Sequence, residues 1–518
     1  MMKKIKSFFT LLLFLFANCL FAQPGALDSD WDADGKITTD FNTTYDFLYS
    51  LAVQSDGKVI AAGYLNAATS DFAVARYNTD GTLDNTFSVD GKVTTAIGTD
   101  DDQAFSVALQ DDGKIVLCGA SFNSSDYDFA VVRYNADGTL DNTFDSNGST
   151  TTAIGTGNDI AQSLAIQPDG KIVAAGFSMS TSGWDFAVVR YNSDGSLDTD
   201  FSTDGKVTTA IGTTDDRGYA VAIQPDGKIV VAGLSYNGSD MDFALVRYNS
   251  DGTLDINFGT NGKVTTAIGT GEDVALSMAL QSDGKIVLAG YSYNGSTPDI
   301  ALARYNSDGT LDTGFSSDGK VTTDIASEED RAYSVKIQAD NKILVGGLTS
   351  ISSNYDFALV RYNSDGTLDT DFSSDGKVTT AIGPSLDYAY AMTIQPNGRI
   401  LLGGISTNGS NYDFAITRYL SGLNIGVVEF SKSEKNILVY PNPIQQNSVL
   451  EYTLDKNENI SIRMVDMQGK TVKTFIDNEK QNAGDHKQNI FIPQEIPAGS
   501  YFIVISSESG QEKIKIIK

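Results

Sequence analysis

The sequence is poor in the residues that catalytic and metal sites use most often. Its 518 residues include one histidine, His486, and two cysteines, Cys19 and Cys118. A single histidine near the C-terminus excludes Ser-His and Cys-His nucleophile pairs, and histidine-ligated metal sites, from the long repetitive part of the chain. Cys118 lies on an apolar stretch and is expected to be a small buried hydrophobic residue. No intrachain disulfide is predicted once the N-terminal segment with Cys19 is removed, so stability must come from packing.

Positive charge and proline are also scarce. The chain has 37 Lys plus Arg against 66 Asp plus Glu, which gives a net charge of -29. Such an acidic surface repels phosphate backbones, so no nucleic-acid partner is predicted. With 10 Pro against 49 Gly, 23 Tyr and 26 Phe, the composition favours many strands joined by tight turns.

Long hydrophobic runs are missing except at the N-terminus. Lysines in the first six residues precede an apolar run from Phe8 to Phe16 and small residues that end at Ala22. This layout predicts a signal peptide over residues 1–22, and the run is well short of the roughly 20 residues of a membrane span. We therefore expect a secreted or outer-membrane surface protein with no transmembrane segment in the mature chain. A lipoprotein attached through Cys19 is the disfavoured alternative.

The middle of the chain is a repeat. The pair Arg-Tyr recurs at a constant interval of 57 residues, at Arg76, Arg133, Arg190, Arg247, Arg304, Arg361 and Arg418. The units have the pattern of four short strands, and in five of the seven an Asp-Gly pair such as Asp226-Gly227 joins the first two; copy six has Asp340-Asn341 there and copy seven has Asn397-Gly398. Asp-Gly between apolar runs predicts a type I′ hairpin.

The two ends of the repeat are complementary. The seventh copy stops at Leu420 without a fourth strand, whereas the missing pattern, Leu27-Asp28 and Gly35 to Thr39, precedes the first copy. This split predicts an all-β fold, a seven-bladed β-propeller over residues 23–420 that is closed by its N-terminal strand. A right-handed β-solenoid is the alternative, but it requires neither a fixed count nor a complementary split.

The repeat resembles a known family. Segments such as Gln167 to Val173 followed by Asp185 to Asn192 are similar to the delta-60 repeat of bacterial surface proteins. The resemblance covers residues 27–420 and implies a propeller, but no family-wide activity. The third copy departs from the motif at Gly148-Ser149-Thr150, where Gly-Lys-Val is expected.

After a predicted linker over residues 421–436 the period disappears. Residues 437–518 show alternating strands that predict a small β-sandwich. Its Tyr440 to Pro443 motif, its Gly484 to His486 step, its Gly499 to Tyr501 segment and its lysine-rich end resemble the C-terminal sorting domain of the type IX secretion system of Bacteroidetes. The resemblance implies that the secretion machinery is a partner, with passage across the outer membrane, removal of the domain, and attachment or release of the propeller. An ordinary appended binding domain is the alternative.

Aspartates recur in two sets. Eight residues before a repeated glutamine stand Asp46, Asp102, Asp159, Asp216, Asp273, Asp330 and Asp387; five residues before the repeated arginine stand Asp71, Asp128, Asp185, Asp242, Asp299, Asp356 and Asp413. Chemistry that needs a residue once does not repeat it seven times, so both sets are interpreted as structural groups that cap turns. The repeated arginines are interpreted in the same way, each paired with the aspartate of a Leu-Asp turn.

One aspartate-rich loop has the spacing of a calcium site. Asp28, Asp30, Asp32 and Asp34 alternate before Gly35, as in the first half of a calcium loop. The twelfth position counted from Asp30 is a phenylalanine and not the expected glutamate, so a turn without metal is favoured. Calcium is the one cofactor that the sequence suggests.

Function is expected where the copies differ on a shared face. The loop before the third strand carries Tyr127, Trp184, Met241, Pro298, Tyr355 and Tyr412 at equivalent positions, and the loop into the next blade adds Arg217 and Arg331 among acidic residues. We expect these side chains to surround a central channel and to bind a glycan, a peptide or cations. The alternative is that the aromatic rings merely cover blade junctions.

The sequence therefore predicts a non-catalytic propeller that binds an extracellular ligand or partner. A carboxylate-dependent hydrolase such as a glycosidase is the alternative from another class, although no pair of acidic residues stands out. A purely structural envelope protein is the third.

Overall fold

The computed structural model describes residues 23–41, 45–423, 438–440, 447–465, 471–492, 496, 500–507 and 510–517. Contacts divide the chain into two compact units, Met1–Leu423 and Asn424–Lys518. The predicted signal peptide and most of the predicted linker lie outside the described residues. Within those residues every regular element is a strand, and no helix is long and apolar enough to cross a membrane.

The first unit consists of seven antiparallel blades of four strands, and each blade runs from an inner to an outer strand. The first three blades are β2 to β5 (Tyr45–Val53, Val59–Asn66, Ser70–Tyr77, Lys92–Thr95), β6 to β9 (Asp102–Leu109, Ile115–Phe122, Tyr127–Tyr134, Ser149–Thr152) and β10 to β13 (Asp159–Ile166, Ile172–Ser180, Gly183–Tyr191, Lys206–Thr209). The next three are β14 to β17 (Asp216–Ile223, Ile229–Tyr236, Met241–Tyr248, Lys263–Thr266), β18 to β21 (Asp273–Leu280, Ile286–Tyr293, Pro298–Tyr305, Lys320–Thr323) and β22 to β25 (Asp330–Ile337, Ile343–Ile351, Asn354–Tyr362, Lys377–Thr380).

The seventh blade combines both ends of the repeat. Its inner three strands are β26 (Asp387–Ile394), β27 (Ile400–Thr407) and β28 (Tyr412–Tyr419), and its outer strand is β1 (Lys36–Thr39). β1 pairs antiparallel with β28, with Ile37 opposite Ile416. The prediction of a seven-bladed propeller closed by its N-terminal strand is confirmed. The third copy also keeps its outer strand, β9, although it lacks the Gly-Lys-Val motif.

The hydrophobic core of this unit is divided among the seven blade junctions. The second and third strands are buried along almost their whole length because a neighbouring blade covers each face. Each junction holds its own cluster of buried side chains. In the junction that closes the ring, Trp31 is 0% exposed and lies with Leu401 of blade seven and Val59 of blade one. The N-terminal segment therefore contributes core as well as a strand.

The type I′ prediction for the Asp-Gly hairpins is wrong. In the first blade the Gly57 amide donates to the Gln54 carbonyl and the Gln54 amide to the Lys58 carbonyl. Gly57 has a φ of 86°, whereas Asp56 is not among the residues of positive φ. This is a three-residue loop with a single left-handed position, and the aspartate accepts the Lys58 amide through its side chain. Asp-Gly suits both turns, so the dipeptide alone does not distinguish them.

The second unit is a β-sandwich. One sheet contains β29 (Leu438–Tyr440), β30 (Asn447–Leu454) and β33 (Gly484–Phe491) in the order β29-β30-β33. The other has the order β32-β31-β34-β35, with β31 (Glu458–Val465), β32 (Thr471–Gln481), β34 (Ser500–Ser507) and β35 (Gly510–Ile517). The two sheets enclose one apolar core, in which Leu450, Ile462 and Ile503 are 0% exposed.

Candidate functional site

The two ends of the propeller ring differ in kind. One end, here called the Arg face, carries the Asp-Gly hairpins and the repeated arginines, because the second strand begins where the third strand ends. The other end, here called the mouth, is where the inner strands begin and where the third strands start. The repeated arginines and the residues that vary between copies thus occupy opposite ends.

Seven ion pairs of one design occupy the Arg face. The guanidinium of each repeated arginine lies 2.6–2.8 Å from an aspartate, in the pairs Arg76–Asp84, Arg133–Asp141, Arg190–Asp198, Arg247–Asp255, Arg304–Asp312, Arg361–Asp369 and Arg418–Asp28. A second cation, such as Lys58 at 2.7 Å, shares each carboxylate, and the arginine also stacks on a junction ring, such as Phe87 at 4.6 Å. Burial alone would raise the pKa of Asp84, but hydrogen bonds and cations outweigh it and hold that pKa well below its usual range.

The calcium prediction concerns a loop that has a structural role. Asp28 lies 2.7 Å from Arg399 and 2.8 Å from Arg418, so it completes the seventh Arg-face pair. Asp30, Asp32 and Asp34 are exposed, and the Asp34 side chain accepts the Lys36 amide. Calcium at this loop stays a prediction, with Asp28 already engaged by two cations.

The first set of repeated aspartates starts the inner strands. All seven are 0% exposed. Asp216 accepts the amides of Ile211 and Gly212, and its equivalents accept the matching amides in the other blades. These carboxylates therefore order the loop that enters each blade at the mouth. Burial raises the pKa of Asp159, Asp273 and Asp330.

Two junctions at the mouth gather a third aspartate. Asp299 and Asp330 lie with Asp324, and Asp413 and Asp46 lie with Asp40, so that each trio has one oxygen per residue within 4.8 Å of the others. Most other blades have alanine at the position of Asp40 and Asp324, for example Ala96, Ala153, Ala210 and Ala267. The added charge raises the pKa of Asp299, after burial, and the mouth is locally more acidic at these junctions.

A β-bulge in every inner strand turns one side chain toward the axis of the ring. In blade one the register passes from Leu48 to Ser50 against successive residues of β3, which leaves Tyr49 unpaired. The bulge residues are Tyr49, Phe105, Gln162, Tyr219, Leu276, Tyr333 and Tyr390. Opposite each bulge stands a glycine; a Cβ at Gly63 would lie 1.8 Å from the Phe47 carbonyl oxygen. Only glycine permits this approach.

The bulge residues line a central channel. Its cavity of about 410 Å³ is surrounded by the inner strands of all seven blades, with hydroxyls such as Ser50, Ser106 and Ser163 beside the bulge side chains. Several of these serines also accept the amide of the next blade, for example Ser163 Oγ from Val221 at 3.2 Å. Among the residues that line the cavity, Lys336 is the single charged one. The cavity is within the range of about 300–1,000 Å³ that is usual for small-molecule sites.

Aromatic rings line one side of the channel. Tyr333, Tyr390, Tyr49 and Phe105 line the cavity, and Tyr64 stacks on Tyr49 at 5.6 Å; these five rings are here called the aromatic wall. Consecutive rings are in contact: the centroids are 5.1 Å apart for Tyr333 and Tyr390, 4.9 Å for Tyr390 and Tyr49, and 5.3 Å for Tyr49 and Phe105. All five side chains are partly exposed. Blades three and five have Gln162 and Leu276 at the bulge, and these separate Tyr219 of blade four from the other rings, so the wall of contacting rings belongs to blades six, seven, one and two.

The tyrosines of the wall are hydrogen-bond donors over the ordinary pH range. Burial, followed by the neighbouring phenols, raises the pKa of Tyr49 and of Tyr390 well above the usual value. Burial also raises the pKa of Tyr333. The wall thus offers flat apolar faces together with neutral hydroxyl groups, which is an amphipathic surface.

The ligand residues predicted from the sequence lie at the rim of the mouth, outside the channel lining. Tyr412 contacts Tyr45 at 5.4 Å and Phe47 at 5.8 Å, and Tyr355 contacts Tyr388 at 5.1 Å. These contacts continue outward from the aromatic wall. Tyr127 packs against Phe122 with tilted rings, Trp184 packs edge-on against Phe177, and Met241 pairs in register with Tyr236.

The two predicted arginines are held by their own neighbours. Arg331 lies 2.5 Å from Glu329 and 4.6 Å from the ring of Tyr291 in the preceding blade. Arg217 lies over Trp184 at 5.3 Å and over Phe177 at 5.6 Å, again across a junction. Glu329 also accepts the Tyr355 hydroxyl at 2.8 Å and raises the pKa of Tyr355 to about 12. Both arginines thus support the rim.

The channel side chains were missed because a period-two pattern does not reveal a bulge. From Asp216 to Ile223 the alternation suggests that Gly218 and Ala220 share a face, whereas the register shifts between them. A signal was present in the next strand, where glycine recurs as Gly63, Gly119, Gly176, Gly233, Gly290, Gly347 and Gly404. An invariant glycine within an apolar strand indicates close approach of another backbone.

Two family models match the chain, one in the propeller and one in the C-terminal unit. The model "Domain of unknown function (DUF5122) beta-propeller" matches seven times, at residues 54–87, 110–144, 167–201, 224–258, 281–315, 338–372 and 395–424. The model "Secretion system C-terminal sorting domain" matches residues 438–518. No curated protein matches the chain.

Several solved structures are similar to this chain at low identity. A virginiamycin B lyase from Staphylococcus aureus is 11% identical with a TM-score of 0.44, over 74% of this chain and 98% of that one. Sqt1 from Chaetomium thermophilum is 13% identical with a TM-score of 0.41, over 74% and 98%. An ulvan lyase of polysaccharide lyase family PL25 is 12% identical with a TM-score of 0.45, over 74% and 95%. None of these likenesses is close enough to carry an argument about function.

Proposed function

The chain is a seven-repeat DUF5122 β-propeller followed by a secretion system C-terminal sorting domain, and we propose that this secreted, surface-directed protein binds an extracellular glycan in its channel. The observation that carries the proposal is the aromatic wall. Flat aromatic faces with neutral hydroxyls suit sugar rings, which present C–H faces and hydroxyls of their own. The wall occupies four of seven blades, so repeat architecture alone does not account for it.

The geometry favours binding over hydrolysis. Among the described residues that line the channel there is no carboxylate, and glycoside hydrolysis ordinarily uses two. Two kinds of carboxylate at the mouth are engaged: the buried set orders backbone amides, and Glu329 is paired with Arg331. The lack of catalysis remains a prediction, to be checked with chromogenic glycosides in the same assays.

The test replaces wall residues with side chains that the ring already accepts. Tyr390→Leu and Tyr49→Gln copy Leu276 and Gln162, so the fold is expected to tolerate them. We expect each to weaken binding of the best glycan from an array by at least about tenfold, since aromatic anchors dominate such sites. Ile256→Thr, which removes a 70%-exposed side chain from the Arg face, is the matched control and leaves affinity unchanged. Binding that survives both wall substitutions contradicts the proposal.

A further inference from the structure

The charge of the channel is opposite to that of the molecule. The chain has a net charge of -29, yet Lys336 is the one charged side chain among the residues that line the cavity. In the other inner strands its position is held by Ala52, Ala108, Ala165, Ala222, Ala279 and Thr393. A lysine at one of seven equivalent positions is therefore a departure from the repeat.

Nothing in the described part of the propeller neutralises this lysine. Its neighbours along β22, Val335 and Ile337, are apolar, and no ion pair or hydrogen bond of its ammonium group occurs among the described residues. The arginines of the Arg face, by contrast, each meet a carboxylate within 2.8 Å. A cation without a partner is unusual in a protein with so many carboxylates.

The surroundings of Lys336 also favour an anion. The side chain is accessible inside the channel, but seven blades surround it, and this desolvation lowers its pKa. An anion that enters the channel supplies the missing opposite charge next to this ammonium group. Tyr333 and Ser334 belong to the same strand, so a ligand that reaches Lys336 also meets the aromatic wall.

We infer that the channel takes an acidic saccharide, with a carboxylate-bearing sugar ring against the aromatic wall and its carboxylate on the Lys336 ammonium group. The inference rests on the proposed glycan-binding function and specifies the class of sugar. Charge complementarity favours such a ligand, because the channel lining has one cation, no anion and several neutral hydrogen-bond donors.

The experiment compares two probes with the same sugar backbone, one with charged carboxylates and one with neutral methyl esters. Trigalacturonate and its methyl ester are titrated into the purified full-length protein by calorimetry, at low and moderate salt. We expect the acid to bind at least about tenfold more tightly than the ester, with the difference reduced by salt. Lys336→Ala, which copies five other blades, is expected to remove the difference, and Lys336→Arg to retain it. Thermal unfolding confirms that both variants fold.

The outcomes separate the inference from the function on which it rests. Equal binding of the acid and the ester, or an unchanged preference in Lys336→Ala, overturns the acidic-saccharide inference and leaves glycan binding intact. A loss of both probes in Tyr390→Leu, together with loss of only the charge preference in Lys336→Ala, supports both. Binding of neither probe overturns the acidic-saccharide inference, whereas the proposed glycan binding is overturned only if the glycan array also yields no ligand.

Discussion

The Arg face and the mouth of the propeller differ in how closely their side chains repeat from blade to blade. At the Arg face seven arginines meet seven aspartates in one geometry, and even the N-terminal segment reproduces it through Asp28 and Arg418. At the mouth the backbone still repeats, but the bulge residue ranges from tyrosine to glutamine and leucine. Uniformity at one end holds the ring together, and variation at the other end provides a surface that a ligand can distinguish.

The largest expected effect is at the junction that closes the ring. Trp31→Ala removes a side chain that is 0% exposed and lies beneath the Arg418 guanidinium, at 4.8 Å. We expect the free energy of unfolding of the propeller to fall by about 3–5 kcal/mol, because a large buried ring leaves a cavity. Urea denaturation monitored by far-UV circular dichroism, a signal that does not rely on the removed tryptophan, measures the free energy of unfolding.

A matched substitution sharpens this prediction. Phenylalanine occupies the position of Trp31 in the other six copies, as at Phe87 and Phe144, so Trp31→Phe should cost less than about 1.5 kcal/mol. Equal losses for the alanine and phenylalanine variants would show that the closing junction is not equivalent to the others.

The two ends of the ring are also expected to respond oppositely to acid. Burial opposes ionisation of Asp198 at the Arg face, but its hydrogen bonds to Lys171 and Arg190 prevail and its pKa is lowered. Its contribution is therefore present above the unfolded pKa of about 3.9 and is lost as the pH falls through the folded value. Asp198→Asn should cost about 1.5–3 kcal/mol at pH 7, and the gap from wild type should close toward pH 3.

Asp159→Asn is the counterpart at the mouth. Burial raises the pKa of Asp159, so its ionised form costs stability above that pKa and its protonated form does not. At pH 7 Asp159→Asn should lose no more stability than the loss of its hydrogen bonds to the Ile154 and Gly155 amides explains, because it also removes the cost of the buried charge. That compensation should vanish in acid, where Asp159 itself is protonated. Unfolding curves at several pH values decide this. A parallel pH response of the two variants would erase the distinction between the ends.

How much the sequence could predict also differs between the two ends. The count of blades, the ring closure and the repeated arginines follow from the 57-residue period and from the complementary ends of the repeat. The channel does not, because its lining depends on a one-residue bulge that reverses the facing of Tyr219 relative to simple alternation. Lys336 could not be predicted as a channel residue either. In the sequence it is one lysine between apolar residues, and only the closed ring makes it the single cation among the residues that line the channel.

The smallest expected effect concerns one hydrogen bond at the rim of the mouth. Tyr355 donates to Glu329 at 2.8 Å, and this bond, with burial and the carboxylate charge, raises the pKa of Tyr355 to about 12. Glu329→Gln keeps the shape but removes the charge, so the pKa of Tyr355 should fall toward the usual tyrosine value of about 10. NMR titration with ¹³C-labelled tyrosine measures the shift, and Glu272→Gln, at an exposed site in another junction, is the control.

Because Glu329 also holds Arg331, an unchanged titration in Glu329→Gln would mean that the rim is ordered by stacking on Tyr291 and Tyr388 and not by charge. The variation at the mouth would then extend to the forces that order it, whereas every copy at the Arg face relies on the same ion pair.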